Sequence, residues 1–466
     1  MARILVTEVL AERGLALMRD AGHEVDVQLD LTPEQLRGAL PGAHAIVIRS
    51  ATKVMADEIE AGRDLVVIGR AGVGVDNVDV EAATRRGVIV VNAPVSNIIA
   101  TAELTLGLLL AQARNITQAG AALKQGRWER ARWEGVELFG KTLGILGIGR
   151  VGTLVAQRAH AFGMRVIAWD KWMSAERFRI LGIEPFELDE VVAQADFLTI
   201  HLLKTPESVG LVGRDLLAKA KPELRLVNTS RGGIVDEDAL AEAVRSGQIA
   251  GAALDVFTVE PTTSSPLFEL DDVVVTPHLA ASTGEAQDKA GVTIAEQVVL
   301  ALAGEFAPFA VNIAASAASE TTRPFVELAE QLGRIFGSMT ASLPGVLEVH
   351  FEGGLADQDT RILTLSVLKG LFSASGEPVS YVNAPQLAAE RGVEVRETTS
   401  VTAQDYVNLI TVKTGEHSVA GTLTQRGQPR LVMVDDHLVE VPPAEHMLVI
   451  RNDDRTGMIG VVGTLL

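Results

Sequence analysis

The sequence contains no cysteine. Disulfides, thiolate metal sites and cysteine nucleophiles are therefore excluded, and no metal site is expected. Basic residues are in the minority: 41 Lys and Arg stand against 60 Asp and Glu, a net charge of −19. That balance argues against nucleic acid and against anionic membrane surfaces as partners. It leaves room for a small anionic substrate, which needs only a local basic cluster. Long apolar runs are missing too. The most apolar helical segment, residues 104–113, is too short to span a bilayer. The opening MARILVTEVL has no signal-peptide pattern, so a soluble, cytoplasmic protein is expected.

What is present is a globular chain. It has 466 residues with 47% hydrophobic content, enough for two to four domains. Its organising stretch is 142–152, TLGILGIGRVG. An apolar strand runs into Gly147, Gly149 and Gly152 in G-x-G-x-x-G spacing, with Arg150 and Val151 inside the turn. The first glycine permits a tight turn, the second a close approach of pyrophosphate, and the third close helix packing. The helical pattern 154–159 would aim its N-terminal N–H groups at phosphates. The next strand, 164–169, ends in Asp170, about 20 residues on. A carboxylate there accepts hydrogen bonds from ribose hydroxyls and repels a 2′-phosphate, which favours NAD over NADP.

Upstream, apolar runs at 3–6, 45–48, 65–68 and 88–91 alternate with helical patterns, giving a doubly wound lobe over residues 1–97. Its strand ends carry Arg49-Ser50, then 69–74 (GRAGVG), then 92–94 (NAP). In open α/β sheets, ligands bind beyond the carboxyl ends of strands, so these ends are candidate substrate contacts. A long helix is expected after Ser96, followed by the basic and aromatic stretch 127–133. The dinucleotide lobe spans 98–283, with later strands at 197–200, 225–228, 251–254 and 273–275. Those ends present His201, then Thr229, Ser230 and Arg231, then Asp255, then His278. A helix over 284–303 can return to the first lobe. Residues 314–318 suit a linker, and β-rich stretches such as 346–350 and 431–434 follow. A last unit is expected to open with a strand at 448–450 and a helix over 458–466.

A nicotinamide site needs a proton acceptor for an alcohol, an anchor for an anion and a group that orients the base. His278 is a fair general base. Glu260 can orient its ring and stabilise the imidazolium. Arg231 can hold a carboxylate through its planar fork. His201 also stands at a strand end, and spacing alone does not choose between it and His278.

Several runs together resemble the D-2-hydroxyacid dehydrogenases, in particular their phosphoglycerate branch. They are 49–54 (RSATKV), 72–79 (GVGVDNVD), 146–152 (LGIGRVG), 228–236 (NTSRGGIVD), 254–257 (LDVF) with Glu260 and Pro261, and 276–278 (TPH). The resemblance covers residues 1 to about 305. It implies a catalytic set of Arg231, Glu260 and His278. His278 would accept the C2 hydroxyl proton while hydride passes to NAD. Arg231 and the backbone of Gly72, Val73 and Gly74 would grip the substrate carboxylate. Arg49, Ser50, Asn97 and Arg132 would lie near its distal end, with Arg132 supplied across a subunit interface of a homodimer or homotetramer. Arg150, Val151, Asp170, Thr229, Ser230, Arg231, Asp255 and His278 would meet the cofactor. The activity implied is NAD-dependent oxidation of D-3-phosphoglycerate to 3-phosphohydroxypyruvate, which opens serine synthesis. Another 2-hydroxy acid, such as glycerate or 2-hydroxyglutarate, and a non-catalytic NAD sensor are the rivals.

The same resemblance extends past residue 314. Residues 369–372 and 381–392 are similar to an intervening, allosteric substrate-binding domain over 314–443. Residues 452–460 (NDDRTGMIG) resemble the opening of an ACT domain, incomplete over 446–466. Serine is the effector this implies, with Asp454 on one side of its site and most of the module missing, so normal serine inhibition is not expected. The fold class expected is α/β: two doubly wound, Rossmann-like parallel-sheet lobes, an α+β intervening domain and an ACT start. The first lobe is completed by 284–307.

Overall fold

The computed structural model describes residues 1–466 apart from 314–318, 341–344, 374–378, 404, 416, 445, 451–455 and 466. The first sheet is built from β1 (Arg3–Val6), β2 (Glu24–Val27), β3 (Ala45–Ile48), β4 (Val67–Arg70) and β5 (Ile89–Val91). Its order is β2-β1-β3-β4-β5, and every pairing is parallel. Parallel strands covered on both faces read as unbroken apolar runs, and β3 is buried at all four positions. β2 is different. Its EVDV segment lies at the sheet edge, partly exposed throughout, and lacks the apolar run that marked the others. β4 starts two residues later than the run 65–68 suggested, because Val66 still donates its N–H to His44 O in the approach to the sheet.

The second sheet comprises β6 (Thr142–Leu146), β7 (Arg165–Trp169), β8 (Glu184–Pro185), β9 (Phe197–Ile200), β10 (Arg225–Asn228), β11 (Gly251–Leu254) and β12 (Val273–Val275). It is fully parallel in the order β12-β11-β10-β9-β6-β7-β8. The direction of winding reverses between β6 and β9, where Leu146 pairs with Ile200. A crevice opens beyond the carboxyl ends of such a pair. β8, two residues at the edge, carries no pattern that would announce it.

Two helices join the lobes. Ile98–Ala113 lies against the second sheet, where Thr105 Oγ1 and Thr229 Oγ1 share a hydrogen bond of 2.7 Å. Gly284–Leu302, capped by the Thr283 hydroxyl, packs on the first sheet. It packs so closely that a Cβ on Gly14 would stand 2.5 Å from Gly291 O, and one on Gly69 2.7 Å from Val298 Cγ2.

A third, mixed sheet contains β13 (Val346–Gly353), β14 (Glu394–Ser400), β15 (Asn408–Lys413), β16 (Ser418–Leu423), β17 (Pro429–Val434) and β18 (His437–Val441). Its order is β14-β13-β15-β16-β17-β18; only β13 and β14 run parallel. Helices Phe325–Met339 and Arg361–Ser373 meet backbone to backbone. A side chain on Gly333 would collide with Val367 O, and one on Gly370 with Glu330 O. This unit docks on the first lobe through the Phe306 and Tyr381 rings, edge to face at 6.3 Å, and through Ser380 Oγ, which donates to Gly87 O at 2.9 Å.

The strand expected at 448–450 is instead coil. Leu448, Val449 and Ile450 are exposed and find no partner strand among the described residues. An isolated apolar triplet has no ladder to join. A helix does follow, at Met458–Leu465. The expected linker 314–318 and Asp454 lie outside the described residues. Among the described residues no helix is long and apolar enough to cross a membrane.

Gly333→Ala should therefore destabilise the third unit by about 1–3 kcal/mol through overpacking. All four tryptophans (128, 133, 169 and 172) lie in the second lobe. Calorimetry should show a lowered transition while tryptophan fluorescence reports the second lobe melting as before.

Candidate active site

The turn after β6 is built for close approach. Gly147 has φ 94° and its N–H donates to Trp169 O at 2.9 Å. A Cβ there would meet His201 O at 2.7 Å, across the crevice between β6 and β9. Gly152 leaves no room for a Cβ beneath Gly147 O, whereas Gly149 faces open space. Helix Arg150–Ala161 starts at Gly149 with no side-chain cap, so its first N–H groups stay available to an anion. Asp170, at the end of β7, is held rigidly. Its Oδ2 accepts from Ile148 N at 2.8 Å and its Oδ1 from Trp172 N and Met173 N at 2.9 and 3.1 Å. An open glycine, an uncapped helix start and a fixed acid together fit a dinucleotide: pyrophosphate at Gly149, ribose hydroxyls at Asp170. Arg150 stands exposed at the rim, its Nη1 3.4 Å from Pro94 O, with Val151 beside it.

The proton-transfer pair lies in the loops past the far strands, β11 and β12, of the same sheet. His278 Nδ1–H donates to Glu260 Oε2 at 2.6 Å, which leaves Nε2 as the free ring nitrogen. Burial by itself raises the Glu260 carboxyl. The hydrogen bonds from His278 and from Phe257 N, with the nearby His278 and Arg231 charges, outweigh it, and the group sits below the usual carboxylate range. His278 has φ 53°, a left-handed conformation that is uncommon for any residue but glycine. Asp255 holds it there. The Asp255 carbonyl accepts from His278 N at 2.8 Å, while its carboxylate accepts from Thr276 Oγ1, Leu279 N and Ala280 N at 2.6, 2.6 and 2.9 Å. Burial pushes this carboxyl up, against those three bonds.

The choice between the two histidines is decided by environment. Burial pushes the His201 imidazole down to about 3, with Thr199 Oγ1 at 3.1 Å from Nε2 and no carboxylate partner among the described residues. The residue keeps some exposed edge, yet its ring stays neutral throughout the physiological range. Of the two, His278 has the carboxylate that stabilises an imidazolium.

Arg231 sits where both lobes meet. Its Nη1 donates to Ser230 O at 2.7 Å, its Nε lies 3.3 Å from Asp76 Oδ2, and its fork packs over Gly74. Gly232 has no space for a side chain against Phe257 O, which brings the Arg231 loop beside the Glu260 loop. Asp236, at the end of the same motif, caps helix Glu237–Arg245. Ser230 is fixed by Asn228 Oδ1, which accepts from its N and Oγ at 3.0 and 2.8 Å.

A cationic cluster surrounds Gly72 and Gly74. Arg70, at the end of β4, lies over Gly72 and donates from Nε to Arg49 O at 3.2 Å. Desolvation, then repulsion from Arg231 and Arg49, pulls its guanidinium down to about 10 despite Asp76 and Glu8. Arg70 therefore has Arg49 on one side and Arg231 as its other cationic neighbour. Arg49, Gly72 and Ser96 line one small cleft with Ala281 and the start of helix Gly284–Leu302. Val73 is held by Asn92 Nδ2, which donates to its carbonyl at 2.6 Å. Ser50 is exposed beside Arg49, and Asn97 begins helix Ile98–Ala113.

Three of the expected contacts look elsewhere. The Thr229 hydroxyl is buried against Thr105, so only its backbone can face a ligand. Asp255 is fully buried, both oxygens taken up by the His278 loop. Arg132 pairs with Asp271 at 2.5 Å and stacks on Trp133 at 4.8 Å. Arg70 belongs to the strand end 69–74 expected to contact substrate, although its own role was not singled out, and Asp76 is an addition. A charge cluster drawn from separate strand ends is visible only after folding.

Comparison with known proteins agrees with this geometry. The NAD-binding domain of D-isomer specific 2-hydroxyacid dehydrogenases matches residues 106–280, and the D-3-phosphoglycerate dehydrogenase intervening domain matches 321–435. The D-3-phosphoglycerate dehydrogenase of Mycobacterium leprae is 47% identical over 99% of this chain and 89% of its own length. That of Methanocaldococcus jannaschii is 42% identical over the same shares. Among solved structures, the TT0316 protein of Thermus thermophilus is 36% identical with a TM-score of 0.62, covering 66% of this chain and 99% of its own. A glyoxylate reductase from Paecilomyes thermophila is 27% identical with a TM-score of 0.59, over 65% and 95%. The nucleotide turn, the His278–Glu260 pair and these full-length likenesses place the chain in the D-isomer-specific 2-hydroxyacid dehydrogenases, within the D-3-phosphoglycerate dehydrogenase family.

Proposed function

We propose that the chain oxidises D-3-phosphoglycerate to 3-phosphohydroxypyruvate with NAD, the opening step of serine synthesis. The observation that carries this reading is the run of arginines from Arg49 through Arg70 to Arg231, the last of which stands by the His278–Glu260 pair. It makes a base flanked by cations, matched to a hydroxy acid that is anionic at both ends. Arg231, with the Gly72, Val73 and Gly74 backbone, holds the carboxylate next to the base. Arg49 and Arg70, with Ser50 and Asn97, take the phosphate. His278 Nε2 accepts the C2 hydroxyl proton, and Glu260 stabilises the imidazolium that results. NAD, when bound, supplies the hydride acceptor. Gly149, Arg150, Val151 and Asp170 orient it in the crevice, and Asp170 excludes a 2′-phosphate.

The units that do this are residues 1–97 with 284–307 for substrate, 98–283 for NAD and 314–443 for the intervening domain; the three sheets support that division. We further infer a cytoplasmic homo-oligomer. Ile116, Leu123, Trp128 and Phe139 are exposed close to Arg132 in sequence. A second copy over that face would cover them and carry Arg132 to its neighbour's phosphate end. Serine is the effector the family suggests.

The test is direct. With NAD and D-3-phosphoglycerate at mildly alkaline pH, NADH absorbance should rise quickly once the keto product is trapped. Turnover on glycerate or 2-hydroxyglutarate alone would overturn the assignment.

His278→Ala should lower kcat by about 10²–10⁴-fold, the usual share of general base catalysis, while fluorescence titration still detects NAD. Glu260 is depressed in the folded state, so its contribution to stability is complete above the ordinary carboxylate range. It is lost as pH falls through the lower folded value. Glu260→Gln should therefore flatten that part of the acid stability profile in thermal melts, and lower kcat together with it. Asp170→Ser should narrow the preference for NAD over NADP by about 10- to 100-fold, read as the ratio of kcat/KM values.

A further inference from the structure

The loop that carries Arg49 and Ser50 is gripped from two sides by residues outside the catalytic set. On one side stands Glu8, just past β1. Its Oε1 accepts from Arg49 N at 2.8 Å and Thr52 N at 2.9 Å, and its Oε2 from Ala51 N at 3.1 Å. On the other side stands Asn77. Its Nδ2 donates to Arg49 O at 2.8 Å and to Thr52 O at 2.6 Å. Thr7 Oγ1 adds a bond of 2.9 Å to Thr52 Oγ1, and Val9 O accepts from Arg49 Nη1 at 3.3 Å. Backbone donors converge on the carboxylate and backbone acceptors on the amide, so the chemistry of each clamp residue matches what it holds. A short loop has few internal hydrogen bonds of its own, and its polar backbone groups must be satisfied by neighbours.

We propose that Glu8 and Asn77 are positioning residues for the reaction, fixing the 49–52 loop so that Arg49 and Ser50 meet the phosphate end of the substrate. The inference rests on the phosphoglycerate reading and adds to it two residues that do not touch substrate. Carboxylate and amide are not interchangeable here. A glutamine at position 8 has a single acceptor oxygen and would direct its NH2 group at a backbone N–H. An alanine at position 77 would leave the Arg49 and Thr52 carbonyls without that donor. Preorganisation of this kind acts mainly on substrate affinity, because the loop must otherwise be ordered by the ligand itself.

The experiment compares Glu8→Gln, Asn77→Ala and the double variant with the parent protein in steady-state kinetics, with NAD affinity measured by fluorescence. Each single variant should raise KM for D-3-phosphoglycerate about 10-fold or more, with kcat kept within about threefold and NAD affinity unchanged. The double variant should fall short of the product of the singles, since both act on one loop. An unchanged KM in both singles would overturn the proposal. So would a parallel loss of phosphoglycerate and NAD affinity, which marks a general disturbance of the lobe. If Glu8→Gln does not fold, Asn77→Ala reads the same loop from the opposite side. A parent protein with no turnover on phosphoglycerate would instead defeat the functional reading itself, so the two failures are distinct.

Discussion

The chemistry of this chain hangs on a carboxylate that takes no part in it. Asp255 is completely buried and accepts hydrogen bonds from Thr276, Leu279 and Ala280, while its carbonyl takes the N–H of His278. Burying an acid is unfavourable unless its oxygens are satisfied. Here they are satisfied by the loop that must hold His278 in a left-handed conformation. A residue in that region stays there only if its surroundings over-determine it. The outcome is a fixed direction for the imidazole, with Nδ1 on Glu260 and Nε2 turned away from it. Gly232 completes the arrangement from the other side, because only glycine allows the Arg231 loop to lie on Phe257 O.

Much of this was legible in the sequence, for identifiable reasons. Parallel strands covered on both faces are continuous apolar runs, so Phe197–Ile200, Arg225–Asn228, Gly251–Leu254 and Val273–Val275 could be read directly. Their ends carried His278, Arg231 and Asp255 because open α/β sheets collect ligands there. Edge strands lack that signature. β2 is half polar and β8 only two residues long, and neither was expected. The strand expected at 448–450 shows the converse: apolar residues supply the tendency, but a ladder needs a partner. The site divides in the same way. His278 and Glu260 stood out as an acid and a base at informative positions. Arg70, Asp76, Glu8 and Asn77 matter through neighbours that are remote in sequence, and no local pattern encodes such a neighbourhood.

A chain of net charge −19 nevertheless sets Arg49 and Arg231 around Arg70. The cluster is tolerable because Asp76 and Glu8 stand within it. Glycines at 72 and 74 let the guanidinium groups lie directly on backbone. Local cationic character thus comes from packing long side chains over residues that have none, rather than from the overall composition.

Helix Gly284–Leu302 has a consequence for how the protein is made. It fills the face of the first sheet through Val298 against Gly69, and it touches helix Glu12–Asp20 at Gly14. Residues 1–97 therefore leave the ribosome without the helix that completes their core, and the missing piece arrives on the order of tens of seconds later at ordinary rates of synthesis. During that interval the second lobe, continuous in sequence, can fold by itself, while the lobe synthesised first must wait with one face uncovered. The lobe that is synthesised first is thus completed only by a helix made after the second sheet.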